Sequence, residues 1–276
     1  MIISDDWFGL LCKSTKDPFT EYNGYRLPSF PTETLQQNTV GKSGEHALSE
    51  AFKFYQACSV RFKKMGLPLT VDRSLLDFGC GWGRIARCFI KDISPSNIFG
   101  IDVTPEFIDF CKIAFRSNNF IANAPLPPTP IPNNRFDFIV AYSVFSHLSP
   151  TACHAWMKEF HRILVPGGLV AFTTRGRNFF SVCEGLKGRA SDGYSTALSE
   201  LFEDFEDARR RYDAGEFVHS NIPGVSGGGK MNSSFYGESF IPMPYAQTAF
   251  SSQFEFYEFV YDPSNIEQAI LFFRKR

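Results

Sequence analysis

The stretch LLDFGCGWG, from Leu75 to Gly83, decides the fold of this 276-residue chain. It begins with the apolar residues of a short buried strand, continues with glycines at alternate positions and leads into the helical segment Arg84–Ile90. Glycine lets a backbone turn sharply and approach a ligand closely, and the N-terminus of a helix presents free N–H groups. We therefore predict a strand, a ligand-binding loop and a helix in succession.

Strands and helices alternate after this loop. Further strands are predicted at Ile98–Val103, Asn119–Ala122, Phe136–Tyr142 and Leu169–Thr174, with helices beginning at Thr104-Pro105 and Ser149-Pro150. Such alternation is typical of an α/β fold whose parallel sheet has helices on both faces. The last two strands, Phe254–Tyr261 and Gln268–Arg274, should pair antiparallel, because their connection is too short for a helical crossover.

Four segments are predicted along the chain. Residues 1–70 form an N-terminal arm and cap helix; within them 1–40 are irregular, and Ser43 caps a helix that runs to Lys64. Residues 71–176 form the core. Residues 177–247 interrupt the α/β rhythm with a charged helix, Glu200–Tyr212, and a glycine-rich loop, and we expect them to be an inserted lid. Residues 248–276 form the C-terminal hairpin.

Composition excludes several classes of protein. The net charge is -1 at pH 7, with no excess of basic residues to attract nucleic acid or an anionic membrane. Seven cysteines without a CxxC pair predict neither a disulfide framework nor a zinc site. Met1–Asp6 does not resemble a signal peptide, and no apolar run is long enough to span a bilayer. We expect a cytoplasmic protein; no pattern indicates its oligomeric state.

Asp102 is the second residue that points to a ligand. It ends the strand after the glycine loop, where a carboxylate can bind both ribose hydroxyls of an adenosine. A nicotinamide dinucleotide would require a third small residue in a G-x-G-x-x-G/A motif, and Arg84 occupies that position. An adenosine that carries a small charged group is the better interpretation, and a nicotinamide-dependent oxidoreductase is the weaker one.

These motifs resemble those of the class I S-adenosylmethionine-dependent methyltransferases over about residues 74–175, and the terminal hairpin fits as well. The resemblance implies a Rossmann-like, seven-stranded sheet with an antiparallel C-terminal hairpin, and S-adenosylmethionine as cofactor. Leu164–Gly168 is similar to the turn before the family's fifth strand. Asn123 stands where the family often has an acidic residue. The contacts that the resemblance implies for the cofactor come from Asp77, Gly79, Cys80, Gly81, Gly83, Asp102, Val103, Asn123, Ala124, Tyr142 and Ser143.

A narrower resemblance concerns the acceptor of the methyl group. The segments Ser143–Leu148, Pro125–Pro128 and Tyr236–Phe240 are similar to bacterial methyltransferases associated with glycan and polysaccharide biosynthesis. The resemblance implies a small-molecule or sugar acceptor, methylated on oxygen more readily than on nitrogen or carbon. Methyltransferases of nucleobase amines carry an Asn/Asp-Pro-Pro-aromatic tetrad after the fourth strand. Ser143–Ser146 lacks it, so we expect no nucleic-acid partner.

His147 is the candidate general base, because it follows the fourth strand and a hydroxyl acceptor must lose a proton. The alternative is a histidine that caps or packs beneath the next helix. Arg175, Tyr236 and Glu238 are weaker candidates, expected on the solvated surface. No Asp/Glu/His cluster with metal-ligand spacing is present near the fourth strand, so no metal is predicted. A non-catalytic S-adenosylmethionine-binding protein remains the alternative function.

Overall fold

The structure is a computed structural model, described for residues 4–276; Met1–Ile3 of the predicted N-terminal arm lie outside the described residues. The chain forms two compact units. The first comprises Met1–Asn123 and Phe136–Tyr142, and the second comprises Ala124–Arg135 and Ser143–Arg276. The boundaries of the four predicted segments differ from those of these two units, and the division into four segments remains a prediction.

The first unit is built on a parallel sheet. Its elements are α1 (Ser4–Ser14), β1 (Glu21–Tyr22), β2 (Tyr25–Arg26), α2 (Glu33–Val40), α3 (Gly44–Lys64), β3 (Leu75–Phe78), two 3-10 helices (Ala86–Lys91 and Pro95–Asn97), β4 (Ile98–Asp102), α4 (Pro105–Phe115), β5 (Phe120–Ala122) and β6 (Phe136–Ala141). Strand β3 pairs in parallel with β4 and β6, and β4 pairs in parallel with β5. All four residues of β3 are buried, as expected for a central strand covered on both faces.

The second unit has antiparallel pairing only. Its elements are α5 (Pro150–Ile163), β7 (Leu164–Thr174), α6 (Asn178–Gly185), α7 (Gly193–Ser199), α8 (Phe205–Asp213), β8 (Val218–Ser220), β9 (Glu238–Phe240), α9 (Met243–Ala249), β10 (Phe254–Val260) and β11 (Ala269–Lys275). Strand β11 pairs antiparallel with both β7 and β10, whereas β8 and β9 form a separate antiparallel ribbon. Apolar residues of α6 to α8 pack with Val218 and Phe240 of this ribbon.

The seven main strands have the order β10-β11-β7-β6-β3-β4-β5. The fold class predicted from the sequence, a Rossmann-like α/β sheet that ends in an antiparallel hairpin, is therefore confirmed. The start of α5 is confirmed as well, because the Ser149 hydroxyl accepts a hydrogen bond from Ala152 N at the N-cap. No helix in residues 4–276 combines the length and apolar character needed to cross a bilayer.

The prediction of irregular structure for residues 1–40 was wrong. Helices α1 and α2 and the short β1–β2 ribbon occupy this segment. Helix α1 fully buries Trp7 and Leu11, and the Trp7 indole N–H donates to the Cys88 carbonyl at 2.9 Å. These contacts join residues far apart in sequence, so the local pattern of prolines and aromatic residues did not indicate them.

Three element boundaries also differ from the prediction. The helix after the glycine loop begins at Ala86, two residues later than predicted, and is a 3-10 helix over Ala86–Lys91. The charged helix α8 begins only at Phe205, where the Asp204 carboxylate caps its first turn. Strand β7 begins at Leu164, before the expected turn, although its pairing with β11 begins at Leu169 as predicted.

Candidate functional site

The glycine loop lies between β3 and the first 3-10 helix of the first unit. Gly79, Gly81 and Gly83 all have left-handed backbone conformations, with φ of 70°, 50° and 77°. Such values are unfavourable for residues that carry a Cβ atom. The N–H groups of Gly79 and Cys80 both donate to the Ile101 carbonyl, at 2.8 and 3.0 Å. The loop is thereby fastened to the end of β4.

Asp102, the last residue of β4, holds the other side of this loop. One carboxylate oxygen accepts a hydrogen bond from Gly81 N at 2.8 Å, and the other accepts one from Thr104 N at 2.9 Å. Burial raises the pKa of Asp102, although these N–H groups act in the opposite direction. Asn123 is fixed beside it, because Asn123 N donates to the Asp102 carbonyl at 3.0 Å. The glycine loop, Asp102 and Asn123 thus meet at the carboxyl ends of β3, β4 and β5.

Asp77 is buried beneath the loop, with only 1% of its surface exposed. One oxygen accepts a hydrogen bond from Ala86 N at 3.0 Å, and the other has no hydrogen-bond partner among the described residues. Burial raises the pKa of Asp77 to about 7, with a smaller contribution from the Asp102 carboxylate and against the hydrogen bond from Ala86 N. Asp77 therefore orders the start of the 3-10 helix with a carboxyl that ionises near neutral pH.

Space at the loop is available on one side only. A methyl group added at Gly81 would meet no atom within 4 Å, whereas one added at Gly83 would collide with the Phe115 ring. The loop is therefore packed against α4 at Gly83 and open at Gly81. An open glycine beside a carboxylate at the end of β4 fits an adenosine ligand.

Arg84 occupies the position that a dinucleotide motif reserves for a small residue. Its guanidinium donates to the Ala47 carbonyl at 3.0 Å and to the Glu50 carboxylate at 2.9 Å, both on α3. It also lies over the Tyr142 ring, 5.0 Å from the centroid. Because this bulky side chain ties the loop to α3, the structure supports the rejection of a dinucleotide-binding motif.

Two predicted cofactor residues lie at the margins of this arrangement. Tyr142, which follows β6, is buried and packs edge-on against Phe54, with ring centroids 5.0 Å apart. The Cys80 side chain is buried, and its sulfur packs close to Gly100 of β4. Val103 directly follows Asp102 on the same loop. Trp82 was not predicted as a site residue; its indole N–H donates to Thr39 Oγ1 of α2 at 3.2 Å.

Ala124, Ser143 and His147 belong to the second unit, where Ala124 is exposed. Ser143 has φ of 58°, a strained value for a residue other than glycine. Two partners hold it in this conformation: its N–H donates to Thr173 Oγ1 at 2.7 Å, and its Oγ accepts from Gln268 Nε2 at 2.9 Å. Strained residues of this kind cluster at functional sites. Gln268 was not identified from the sequence.

His147 is buried and held through one ring nitrogen. Its Nδ1 lies 2.9 Å from the Gly237 carbonyl oxygen, and its ring stacks on Tyr236 with centroids 4.8 Å apart and planes at 3°. A carbonyl oxygen only accepts hydrogen bonds, so Nδ1 carries the hydrogen. In the neutral ring Nε2 then carries a lone pair, as a general base requires.

Glu238 is fully buried beside His147. One oxygen lies 3.3 Å from His147 Nδ1 and accepts a hydrogen bond from Tyr194 Oη at 2.6 Å; the other accepts from Arg175 Nε at 2.6 Å. Burial alone would raise the pKa of Glu238, but His147 and Arg175 lower it to about 2. The expectation that Arg175 and Glu238 are solvated was therefore wrong: they form a buried ion pair.

No group of three or more His, Cys, Asp or Glu side chains suited to a metal ion occurs within residues 4–276. The candidate site residues form two polar clusters, one in each unit. The first unit contains the glycine loop, Asp102 and Asn123. The second contains His147, Glu238, Arg175 and Tyr194; Tyr194 was not identified from the sequence.

Known proteins are similar in sequence to parts of this chain. Residues 75–168 match the family model described as a methyltransferase domain. A tRNA N(3)-methylcytidine methyltransferase of Schizosaccharomyces pombe is 30% identical over 151 residues, which are 51% of this chain and 47% of that protein. A fatty-acid O-methyltransferase of Mycolicibacterium smegmatis is 28% identical over 105 residues, 37% of this chain and 36% of that protein. The chain spans about half the length of the first relative and about a third of the second.

A solved structure agrees over a larger part of the chain. The S-adenosylmethionine-dependent methyltransferase from Mesorhizobium loti superposes with a TM-score of 0.51 and 13% sequence identity, covering 79% of this chain and 98% of that chain. At this identity the similarity concerns the fold. Residues 75–168 are therefore similar to a methyltransferase domain, and the chain has the same fold as that S-adenosylmethionine-dependent methyltransferase.

Proposed function

We propose that this protein transfers the methyl group of S-adenosylmethionine to a hydroxyl oxygen of a small molecule or sugar. The observation that supports a hydroxyl acceptor is the hydrogen bond between His147 Nδ1 and the Gly237 carbonyl. It leaves Nε2 as the basic atom of a buried histidine that follows β6 along the chain.

S-adenosylmethionine is the cofactor, and the residues of the first unit fit it. We assign its ribose hydroxyls to Asp102 and its methionine portion to the backbone of Gly79–Gly83 above Asp77. The adenine is assigned to Val103, Asn123 and Ala124, and the methyl side to Tyr142 and Ser143. When bound, the cofactor supplies a methyl group whose carbon–sulfur bond breaks as the new oxygen–carbon bond forms.

A general base distinguishes between acceptor types. A carboxylate is already ionised at neutral pH, and an aromatic ring nitrogen offers its lone pair directly, so neither has to lose a proton first. A hydroxyl must lose its proton as it becomes the nucleophile. His147 Nε2 accepts that proton, and its Nδ1 hydrogen stays on the Gly237 carbonyl. The base therefore favours O-methylation of an alcohol or sugar.

The pairing of charges near His147 supports an uncharged acceptor. Arg175 is the cation nearest to His147 in the hydrogen-bond network, and Glu238 already neutralises it. Among the described residues of this network, Arg175 therefore offers no free positive charge to a carboxylate or phosphate group. Together with the similarity of Ser143–Leu148 and Tyr236–Phe240 to enzymes of glycan biosynthesis, this favours a sugar hydroxyl.

Titration calorimetry tests the cofactor assignment. Wild type, Asp102→Ala and the exposed control Asp109→Ala are titrated with S-adenosylmethionine, S-adenosylhomocysteine and NAD. We expect micromolar binding of both adenosyl compounds to wild type and the control, a loss of at least about tenfold in Asp102→Ala, and no binding of NAD. Binding of NAD alone would favour the oxidoreductase alternative.

Turnover tests the reaction. The wild type is incubated with S-adenosylmethionine and a panel of sugars, sugar nucleotides, fatty acids and tRNA, and S-adenosylhomocysteine is measured. We expect turnover with a sugar and a loss of at least about a hundredfold in His147→Ala. A loss of no more than about threefold in the rate of His147→Ala would refute the role of His147 as general base. Cofactor binding without turnover on any acceptor would support the non-catalytic alternative.

A further inference from the structure

We propose that Tyr236–Glu238, called here the positioning segment, sets the orientation and tautomer of His147, with Glu238 as the positioning residue for the base. This inference rests on the proposed function, since it assigns a purpose to a base that the reaction requires. It concerns contacts within the second unit only.

The three residues of the positioning segment make three different contacts with His147. Tyr236 stacks on the ring in parallel, Gly237 offers its carbonyl to Nδ1 at 2.9 Å, and Glu238 places a carboxylate oxygen 3.3 Å from the same nitrogen. The backbone is joined as well, because Gly237 N donates to the His147 carbonyl at 2.8 Å. Ring plane, ring rotation and main chain of His147 are thus all fixed by one tripeptide.

The positioning segment is itself anchored. Glu238 and Ser220 are paired residues of the β8–β9 ribbon. A side chain at Gly237 would collide with the Ser220 carbonyl, so only glycine allows the segment to lie this close to β8. The carbonyl that faces His147 Nδ1 therefore has a defined position.

Glu238 is buried at a cost that hydrogen bonds offset. A carboxylate without exposure to water is unfavourable unless donors surround it. Arg175 Nε and Tyr194 Oη supply two donors at 2.6 Å, and Arg175 itself lies over the Phe179 ring, 3.9 Å from the centroid. The third donor beside Glu238 is the Nδ1–H of His147, 3.3 Å from the oxygen that also accepts from Tyr194 Oη. A buried pair that served stability alone would not need a histidine as its third member.

Proton transfer explains the arrangement. As His147 Nε2 takes the hydroxyl proton, the ring becomes an imidazolium, and its positive charge forms 3.3 Å from the Glu238 oxygen. Before transfer, the two acceptors at Nδ1 hold the hydrogen there and keep Nε2 unprotonated. Positioning by a buried carboxylate raises the population of the reactive tautomer and stabilises the product of the step.

Nitrogen-15 NMR of histidine side chains tests this inference without methyl transfer. The full-length protein is labelled, and His147 is assigned by the loss of its signals in His147→Gln. We expect wild type and the exposed control Glu203→Gln to show the neutral ring with the hydrogen on Nδ1. In Glu238→Gln the Gly237 carbonyl still accepts the Nδ1 hydrogen, but the anionic acceptor is lost, so the Nδ1 proton resonance should move upfield.

Glu238→Gln leaves Arg175 buried without a counter-charge and can fail to fold, so Tyr194→Phe is the second variant. It removes one donor from the Glu238 oxygen near His147 and keeps both buried charges. The remaining bond from Nδ1 should strengthen, and the Nδ1 proton resonance should move downfield. An unchanged resonance there, or a wild-type hydrogen on Nε2, overturns the inference. Absence of turnover with normal NMR results would contradict the proposed function instead.

Discussion

Gly81 and Gly83 have similar left-handed backbones but different surroundings. An alanine costs about 1–2 kcal/mol at either position, because its Cβ disfavours this conformation. At Gly83 the added methyl would also displace Phe115, and overpacking costs typically about 1–3 kcal/mol more. At Gly81 it would occupy the open side of the loop that we assign to the cofactor.

The two alanine variants should therefore lose different properties, one mainly stability and the other mainly cofactor affinity. Gly83→Ala should lose more unfolding free energy in urea, whereas Gly81→Ala should lose at least about tenfold in affinity for S-adenosylmethionine by calorimetry. Each variant serves as the control for the other. Wild-type affinity in a folded Gly81→Ala protein would show that the open side of the loop does not contact the cofactor.

Asp77 should make stability depend on pH. Its pKa rises from an ordinary 3.8 to about 7 in the folded protein, so ionisation opposes folding. This penalty is absent below about pH 4, grows as pH rises to about 7, and is constant at up to about 4 kcal/mol above that. Asp77→Asn retains an acceptor for Ala86 N and removes the charge.

Melting temperature without added cofactor measures this effect between pH 4 and 8. The difference between Asp77→Asn and wild type should increase with pH up to about 7 and then level off. Asp109→Asn, which changes an exposed carboxylate on α4, should show no such trend. A melting-temperature difference between Asp77→Asn and wild type that stays constant across this range would mean that the pKa of Asp77 is not raised.

At the scale of elements, α5 and α3 offer a matched pair of N-caps. The Ser149 hydroxyl accepts from Ala152 N at 3.3 Å, whereas Ser43 at the start of α3 makes no such bond. Ser149→Ala should therefore cost about 0.5–1 kcal/mol of unfolding free energy, and Ser43→Ala clearly less. Equal losses in urea denaturation would show that side-chain capping does not distinguish the two helices.

Elements were predictable where their signal is local. Strand β3, the cap of α5 and the antiparallel pairing of β10 with β11 all follow from short stretches of sequence. Helix α1 was missed because Trp7 is buried through a contact with Cys88, 81 residues away. The contacts of His147 with Gly237 and Glu238 span about 90 residues and depend on the β8–β9 ribbon. The sequence could suggest His147, but not what holds it.

For the whole molecule, charge is the property that separates acceptor classes. The chain has 28 basic and 29 acidic side chains, so that long-range attraction to a polyanion is weak. Affinity for tRNA derives largely from phosphate contacts with Lys and Arg and from the release of counterions. A chain without an excess of positive charge is expected to bind tRNA weakly.

Filter binding with total tRNA tests this expectation at about 50 mM and about 200 mM KCl, with a known tRNA methyltransferase as positive control. We expect Kd weaker than about 1 μM at the higher salt, in the range of non-specific complexes. Sub-micromolar binding that survives the higher salt would require a local basic surface and would shift the acceptor from a sugar to RNA. His147 would then be tested with RNA, since a ring nitrogen that needs no base should tolerate His147→Ala.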